Sequence, residues 1–500
     1  MVFHDETVKE ILDRYKTIWS IGHALGLLSW DNETYMPKGG VEERSTARAE
    51  LSVLARRLLL DERFVELVER ALGKEGLNDY ERGVARVLHR QIRIQKSVPE
   101  KLVFELVKTA GEATHVWREA RKRGDFQLFK PYLAKIVELR RSYAEHLGYE
   151  DHPYDALLDL YEEDLRVKDV DSIFERIVPE TRRILEKVVA GELFPSRHEL
   201  EEVVYEREAM EKVNREVVTI LGYPWDRGRL DVSPHPFTIT IGLKDVRITT
   251  RYEGRDFRRT LFATIHEFGH ALYNLQVDER LKMTPLASGA SLGIHESQSR
   301  FWENIVGRSP SFIDVVKPVL DKHLGFTKKY EKEELYRYFN IVRPDYIRVE
   351  ADELTYNLHI YLRYELEKLM IAGELSVDDL PEQWDNLMEE LLGIRPRNPS
   401  EGVLQDIHWS SGSIGYFPTY TIGNLVAAQI RHHVESKLGP LSDLIVERRF
   451  EDLRGFLRET IHKWGSTFKP KDLLLRQLGE PLNPEYLVNY LNEKYLRETG

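Results

Sequence analysis

Two histidines stand four residues apart in ATIHEFGHAL (263–272), with a glutamate directly after the first. On a helix, His266 and His270 share one face a turn apart, so both imidazoles can meet one metal ion at about 2.0–2.1 Å. Glu267 projects from a neighbouring face, where its carboxylate can take a proton from metal-activated water and return it to a leaving amine. The plain alternative is a helix that happens to carry two of the chain's 17 histidines. Against it, the flanks are apolar (Leu261, Phe262, Ala263, Ile265, Ala271, Leu272), so the helix is expected to be buried, and buried polar groups need partners that a metal supplies. Gly269 inside the motif costs helix stability and implies close packing. A catalytic zinc commonly takes two His and one Glu. The leading third ligand is Glu296, on a second helix SLGIHESQSRFWENIVG (291–307) that also carries His295 and Glu303.

Composition narrows the chemistry further. There is no cysteine, so thiolate nucleophiles, disulfides and cysteine zinc sites are excluded and any metal must rest on His, Asp and Glu. A net charge of -12 argues against nucleic acid as a partner. With no signal-like start and no long apolar run, the chain is expected to be soluble, cytoplasmic and independent of membranes. Charged residues make up 31% and are interleaved, as in EKEELYRYF, which suits solvated helices and leans toward a thermophile source.

The elements that must position these groups read as mostly α. Residues 81–95, 169–193 and 378–393 space their apolar residues by three and four, and Pro99, Gly148, Pro153, Pro195 and Pro224 separate such segments. No repeat or linker divides the 500 residues, so a single large multi-helix domain over 1–500 is expected, with helical subdomains. The exception is LDVSPHPFTITIGLKDVRITTRY (230–252), two Thr/Ile/Val-rich runs around Gly242-Leu243-Lys244-Asp245, which predicts an antiparallel β-hairpin next to the metal-binding helix. An edge strand there can hold an extended peptide through its backbone.

HEFGH, HESQ (295–298), DVRIT (245–249), IVRPD (341–345) and GVLQDIHW (402–409), together with the N-terminal LLSWDNETYMP and Arg44, resemble the signature set of the carboxypeptidase Taq family of metallocarboxypeptidases. The motifs span roughly residues 230–425. The resemblance implies a mostly helical enzyme with a deep groove that uses a divalent metal, zinc or cobalt, to release C-terminal amino acids from peptides with broad specificity, and it implies a homodimer. By similarity the ligands are His266, His270 and Glu296 and the base is Glu267, the four residues already reached.

An exopeptidase must also recognise a free C-terminus, which a guanidinium does by bidentate hydrogen bonds. The candidates are Arg348, ranked first, then Arg247 and Arg343. Each has a structural alternative: Arg348 pairing with Asp352, Arg343 with Asp345, Arg247 with Asp245. For the oxyanion, the loop DIHWSSGSIGYFPTYTIGN (406–424), expected to lead into a helix at Asn424, offers His408, Tyr416 and Tyr420; similarity to related helical zinc peptidases implies His408 and Tyr420 as the better pair, with Tyr416 as runner-up. Glu303 and Asp406 are candidates for a carboxylate behind the metal ligands, and His295 for an orienting role. His359 and His432-His433 read as ordinary helix residues. Rival readings are an oligoendopeptidase or aminopeptidase of the same metal chemistry, or a helical scaffold that retains the motif.

Overall fold

The computed structural model describes residues 2–496. It is mostly helical, with one three-stranded sheet among the described residues. Contacts group the chain into two compact units, each built from three separated segments. The first comprises the chain up to Arg93, His198–Phe339 and Gln429–Leu482; the second comprises Ile94–Arg197, Asn340–Ala428 and the chain from Asn483. Among the described residues no helix is long and apolar enough to cross a membrane.

The helices follow the expected periodicity and punctuation. Of the three segments read as helical, 81–95 falls in helix Asp79–Ser97, while 169–193 and 378–393 overrun helices Val167–Ala190 and Leu380–Leu392 by one to three residues at their ends. Pro99 precedes helix Glu100–Arg123, Gly148 ends Phe126–Leu147 and Pro153 opens Pro153–Tyr161. Proline suits these positions because a first-turn residue has no intrahelical partner for its missing N–H.

In the first unit, helices Glu6–Thr34, Glu62–Leu72 and Asp79–Ser97 enclose an apolar cluster that includes Val8, Ile11, Phe64, Val68 and Leu88. The sheet also lies in this unit. Strands β2 (Thr238–Gly242) and β3 (Asp245–Thr250) form the predicted hairpin, antiparallel and irregular between Thr240 and Gly242. The start of the first Thr/Ile/Val run does not belong to that hairpin. It forms β1 (Gly228–Val232), which pairs parallel with β3 on the other side, giving the order β1-β3-β2. The turn at Ser233 to Pro236 separates the two pieces, and β2 is left at an edge.

The motif helix Phe257–Leu275 follows directly. It begins at Asp256, whose left-handed backbone (φ 47°) is braced by a hydrogen bond from Tyr338 Oη to Asp256 Oδ1 at 2.6 Å. Leu261, Ile265, Phe268 and Ala271 are fully buried, as expected for a core helix. The ligand helix Leu292–Arg300 starts at Ser291, whose side chain accepts from the Ile294 N–H at 3.1 Å. It then widens into a π-helical turn over Phe301–Val306, where an uninterrupted helix was expected. Such turns often mark functional sites.

In the second unit, helix Tyr356–Ala372 carries a buried polar row (His359, Arg363, Glu367), of which Arg363 and Glu367 bond to the 402–417 turns. Both ring nitrogens of His359 are buried without a hydrogen-bond partner. The helix expected at Asn424 begins six residues earlier, at Pro418, a residue suited to a first turn. Tyr420 is therefore helical and Tyr416 precedes the helix.

Candidate active site

The motif and ligand helices touch backbone to backbone. A Cβ on Gly269 would lie 2.5 Å from Gln298 O and 2.6 Å from Ser299 Cα, so only glycine allows this approach. It brings together the three residues expected as ligands. One donor atom each from His266, His270 and Glu296 lies within 4.8 Å of the others, a group able to hold a metal ion. Glu296 Oε2 is 3.6 Å from His266 Nε2 and 3.3 Å from His270 Nε2. Donors about 2.1 Å from a tetrahedrally coordinated ion stand about 3.4 Å apart. The donor set and its spacing therefore fit a divalent metal.

The far side of each imidazole is also held. His266 Nδ1 lies 2.8 Å from Glu303 Oε2, which keeps the proton on Nδ1 and frees the Nε2 lone pair. Of the two carboxylates considered for this place, the structure puts Glu303 there, and Asp406 is engaged with arginines instead. Burial pushes the Glu303 carboxyl up, but Arg300, His266 and Arg308 outweigh it and hold it at about 2. His270 Nδ1 lies 2.7 Å from His295 Nδ1, and His295 Nε2 lies 3.0 Å from the Asn274 carboxamide. Burial, with the neighbouring His270, lowers the His295 pKa far below the usual range, and its Nε2 accepts from Asn274 Nδ2. The expected orienting role of His295 thus has a geometry, and Asn274 extends it.

Glu267 sits beside these donors, mostly buried, and Thr238 Oγ1 from the edge strand β2 donates to its Oε2 at 2.6 Å. Thr238 is a contact that sequence reasoning missed; nothing in TITIG distinguishes it from its neighbours. Arg300 was missed too. It donates through Nε to Glu296 Oε1 at 2.7 Å and through Nη1 to Glu303 Oε2 at 3.2 Å. Here a signal existed, since Glu296, Arg300 and Glu303 follow one helix face at spacings of four and three.

The arginines separate cleanly. Arg247 makes a bidentate pair with Asp245, both bonds 2.7 Å, and lies 4.5 Å from the Trp30 ring. Arg343 approaches Asp345 at 3.6 Å and donates to Ser196 O at 3.2 Å. Arg348 does not pair with Asp352, whose carboxylate instead accepts the backbone N–H groups of Thr355 and Arg343. The Arg348 Nε and Nη2 donate to Asp406 Oδ1 at 2.9 and 2.8 Å, and Nη1 donates to Tyr356 Oη at 3.0 Å. Arg363 holds the other oxygen, Asp406 Oδ2, at 2.6 Å. A guanidinium has five N–H donors, and these bonds use three of them; Arg348 is only 5% exposed. His408 Nε2 lies 3.5 Å from Tyr420 Oη, and Tyr416 stacks edge-on to Tyr420 at 5.3 Å. Burial lowers the His408 imidazole to about 4, so it is neutral at physiological pH.

Glu367 anchors the same turns from behind. Its carboxylate accepts from Trp409 Nε1 at 2.7 Å, Gly415 N at 2.8 Å and Tyr154 Oη at 2.5 Å. Burial raises it from 4.5 to about 7. An acid with a raised folded value binds its proton more tightly in the folded state. Its stabilisation is complete at low pH and is lost progressively between about pH 4.5 and 7, worth about 3 kcal/mol at about 1.4 kcal/mol per pH unit. We expect the thermal midpoint of the wild type to fall across that window, and the midpoint gap to Glu367→Gln to narrow as pH rises. A gap that is constant from pH 4.5 to 8 would contradict this.

Two histidines on an HExxH helix, with its glutamate adjacent and a buried glutamate from a second helix beside them, define a helical metallopeptidase. Comparison with known proteins makes this specific. The sequence model of the carboxypeptidase Taq (M32) metallopeptidase family matches residues 10–495. The chain is 54% identical to thermostable carboxypeptidase 1 of Pyrococcus furiosus over 496 residues, with 99% of both chains covered. It is 37% identical to carboxypeptidase 1 of Bacillus subtilis over 495 residues, with 97% of both covered. A solved structure of the Pyrococcus furiosus carboxypeptidase superposes with a TM-score of 0.98 at 54% identity, covering 99% of this chain and 100% of that one. The chain belongs to the carboxypeptidase Taq (M32) family and is a metallocarboxypeptidase.

Proposed function

We propose that the chain is a zinc-loaded carboxypeptidase of broad specificity that trims peptides one residue at a time from a free C-terminus, with cobalt able to replace zinc. The observation that carries this reading is the convergence of His266, His270 and Glu296, with Glu267 beside them held by Thr238. When bound, the ion supplies Lewis acidity that polarises the scissile carbonyl and acidifies water. The remaining tasks belong to side chains. Thr238 occupies Glu267 Oε2, leaving Oε1 to take the proton from the attacking water and pass it to the leaving amine. Tyr420 and His408 are assigned to the oxyanion, Tyr420 as the hydroxyl donor, with Tyr416 packed beside it. Arg348 is assigned to the substrate carboxylate through its two remaining donors. Arg247 and Arg343, each engaged with an aspartate, fit a supporting role in substrate binding. We further read the protein as a cytoplasmic homodimer from a thermophile, one catalytic domain with one metal per chain.

The test uses an N-blocked dipeptide and its C-amidated counterpart, assayed after chelation and after return of zinc or cobalt. Either ion should restore release of the C-terminal residue from the free acid only. Internal cleavage of an amidated peptide would overturn exopeptidase action.

A further inference from the structure

The two oxygens of Glu296 have different surroundings. Oε2 faces both histidine Nε2 atoms and lies 3.1 Å from Ser299 Oγ. Oε1 accepts from Arg300 Nε at 2.7 Å, a short, charge-assisted bond between largely buried groups. Arg300 is itself fixed from the other side, because its Nη1 donates to Glu303, and Glu303 also takes Arg308 Nη2 at 3.2 Å. The guanidinium therefore cannot swing away from Oε1 without abandoning a second carboxylate.

A carboxylate can bind a metal through one oxygen or both. Binding through both would fill the position that a catalytic site keeps open for water and the scissile carbonyl. We propose that Arg300 is a positioning residue that restricts Glu296 to one-oxygen ligation, keeping that position open, and that it ties this ligand to the Glu303 carboxylate which orients His266. The inference rests on the reading of Glu296 as a ligand. Neither Arg300 nor this division of labour between the oxygens is needed to hold the metal. Removing Arg300 should therefore leave metal binding intact or tighter while turnover falls. Arg308 continues to neutralise Glu303 in such a variant, so the change falls on Glu296.

Cobalt provides the readout, because four-coordinate Co(II) lacks an inversion centre and absorbs visible light several-fold more strongly than five- or six-coordinate Co(II). The full-length protein is loaded with Co(II) as wild type, Arg300→Met, Arg300→Gln and Glu296→Gln. Spectra, metal affinity by chelator competition, and kcat and KM are measured. Arg300→Met should show a weakened visible band, an undiminished affinity and a kcat lower by about 10- to 100-fold at little change in KM. Arg300→Gln, which keeps one neutral donor at similar size, should fall between and carries the same test where the Met variant does not fold. A wild-type band in the folded Arg300 variants overturns the proposal while Glu296→Gln still alters band and affinity. If Glu296→Gln alters neither, the ligand assignment fails and the proposal with it.

Discussion

Replacing Glu267 by glutamine is expected to lower kcat/KM on a blocked dipeptide by about 10²- to 10⁴-fold, or about 3–5 kcal/mol of barrier, with metal content unchanged. The separation of the two effects follows from the geometry. Glu267 is not among the three residues whose donors converge, so the amide should not disturb binding of the ion. Thr238 Oγ1 can still donate to the amide oxygen, so the side chain keeps its place. What disappears is the basic oxygen proposed to accept the water proton. Initial rates together with elemental analysis check both halves. A variant within tenfold of wild-type activity would remove Glu267 from the chemistry, and loss of metal would recast it as a ligand.

The second large effect concerns Arg348, whose proposed role in substrate binding can be separated from its pairing with Asp406. Arg348→Gln should destabilise the fold by about 3 kcal/mol, because it strips one counter-charge from a buried carboxylate, although Arg363 stays on the other oxygen of Asp406. It should also raise KM for free-acid peptides by about 100-fold while hardly changing the inhibition constant of a C-amidated peptide, through loss of a bidentate ionic contact. The ratio of the free-acid KM to the amide's inhibition constant is therefore the decisive quantity. If the thermal midpoint falls but that ratio holds, Arg348 serves to brace Asp406 and another group reads the C-terminus.

The contrast between Arg348 and the candidate metal ligands shows what the sequence could carry. His266, His270 and Glu267 were legible because helical geometry converts a spacing of four into a shared face, and the buried flanks of the motif helix were visible as an apolar pattern. The β2–β3 hairpin was legible for the same local reason, alternating β-branched residues around a turn. The partner of Arg348 was not, since Asp406 lies 58 positions away and Asp352 offered a tempting local match. Strand β1 escaped because parallel pairing leaves no turn signature, and the π turn at Phe301 because widening a helix by one residue leaves the periodicity almost intact. Thr238 was hidden for a different reason. Its value comes wholly from standing opposite Glu267, which is a property of the packing between sheet and helix.

The missing Cβ of Gly269 has a consequence for how this centre could change over time. Where two helices meet through their main chains, no rotamer can absorb a shift between them, so the spacing of the donors is inherited from the backbone and is not adjusted by side chains. Such a centre is robust to drift in the surrounding side chains, which can vary without retuning it. At position 269 itself there is almost no freedom, since even the smallest side chain would act as a wedge between the element that supplies two donors and the element that supplies the third.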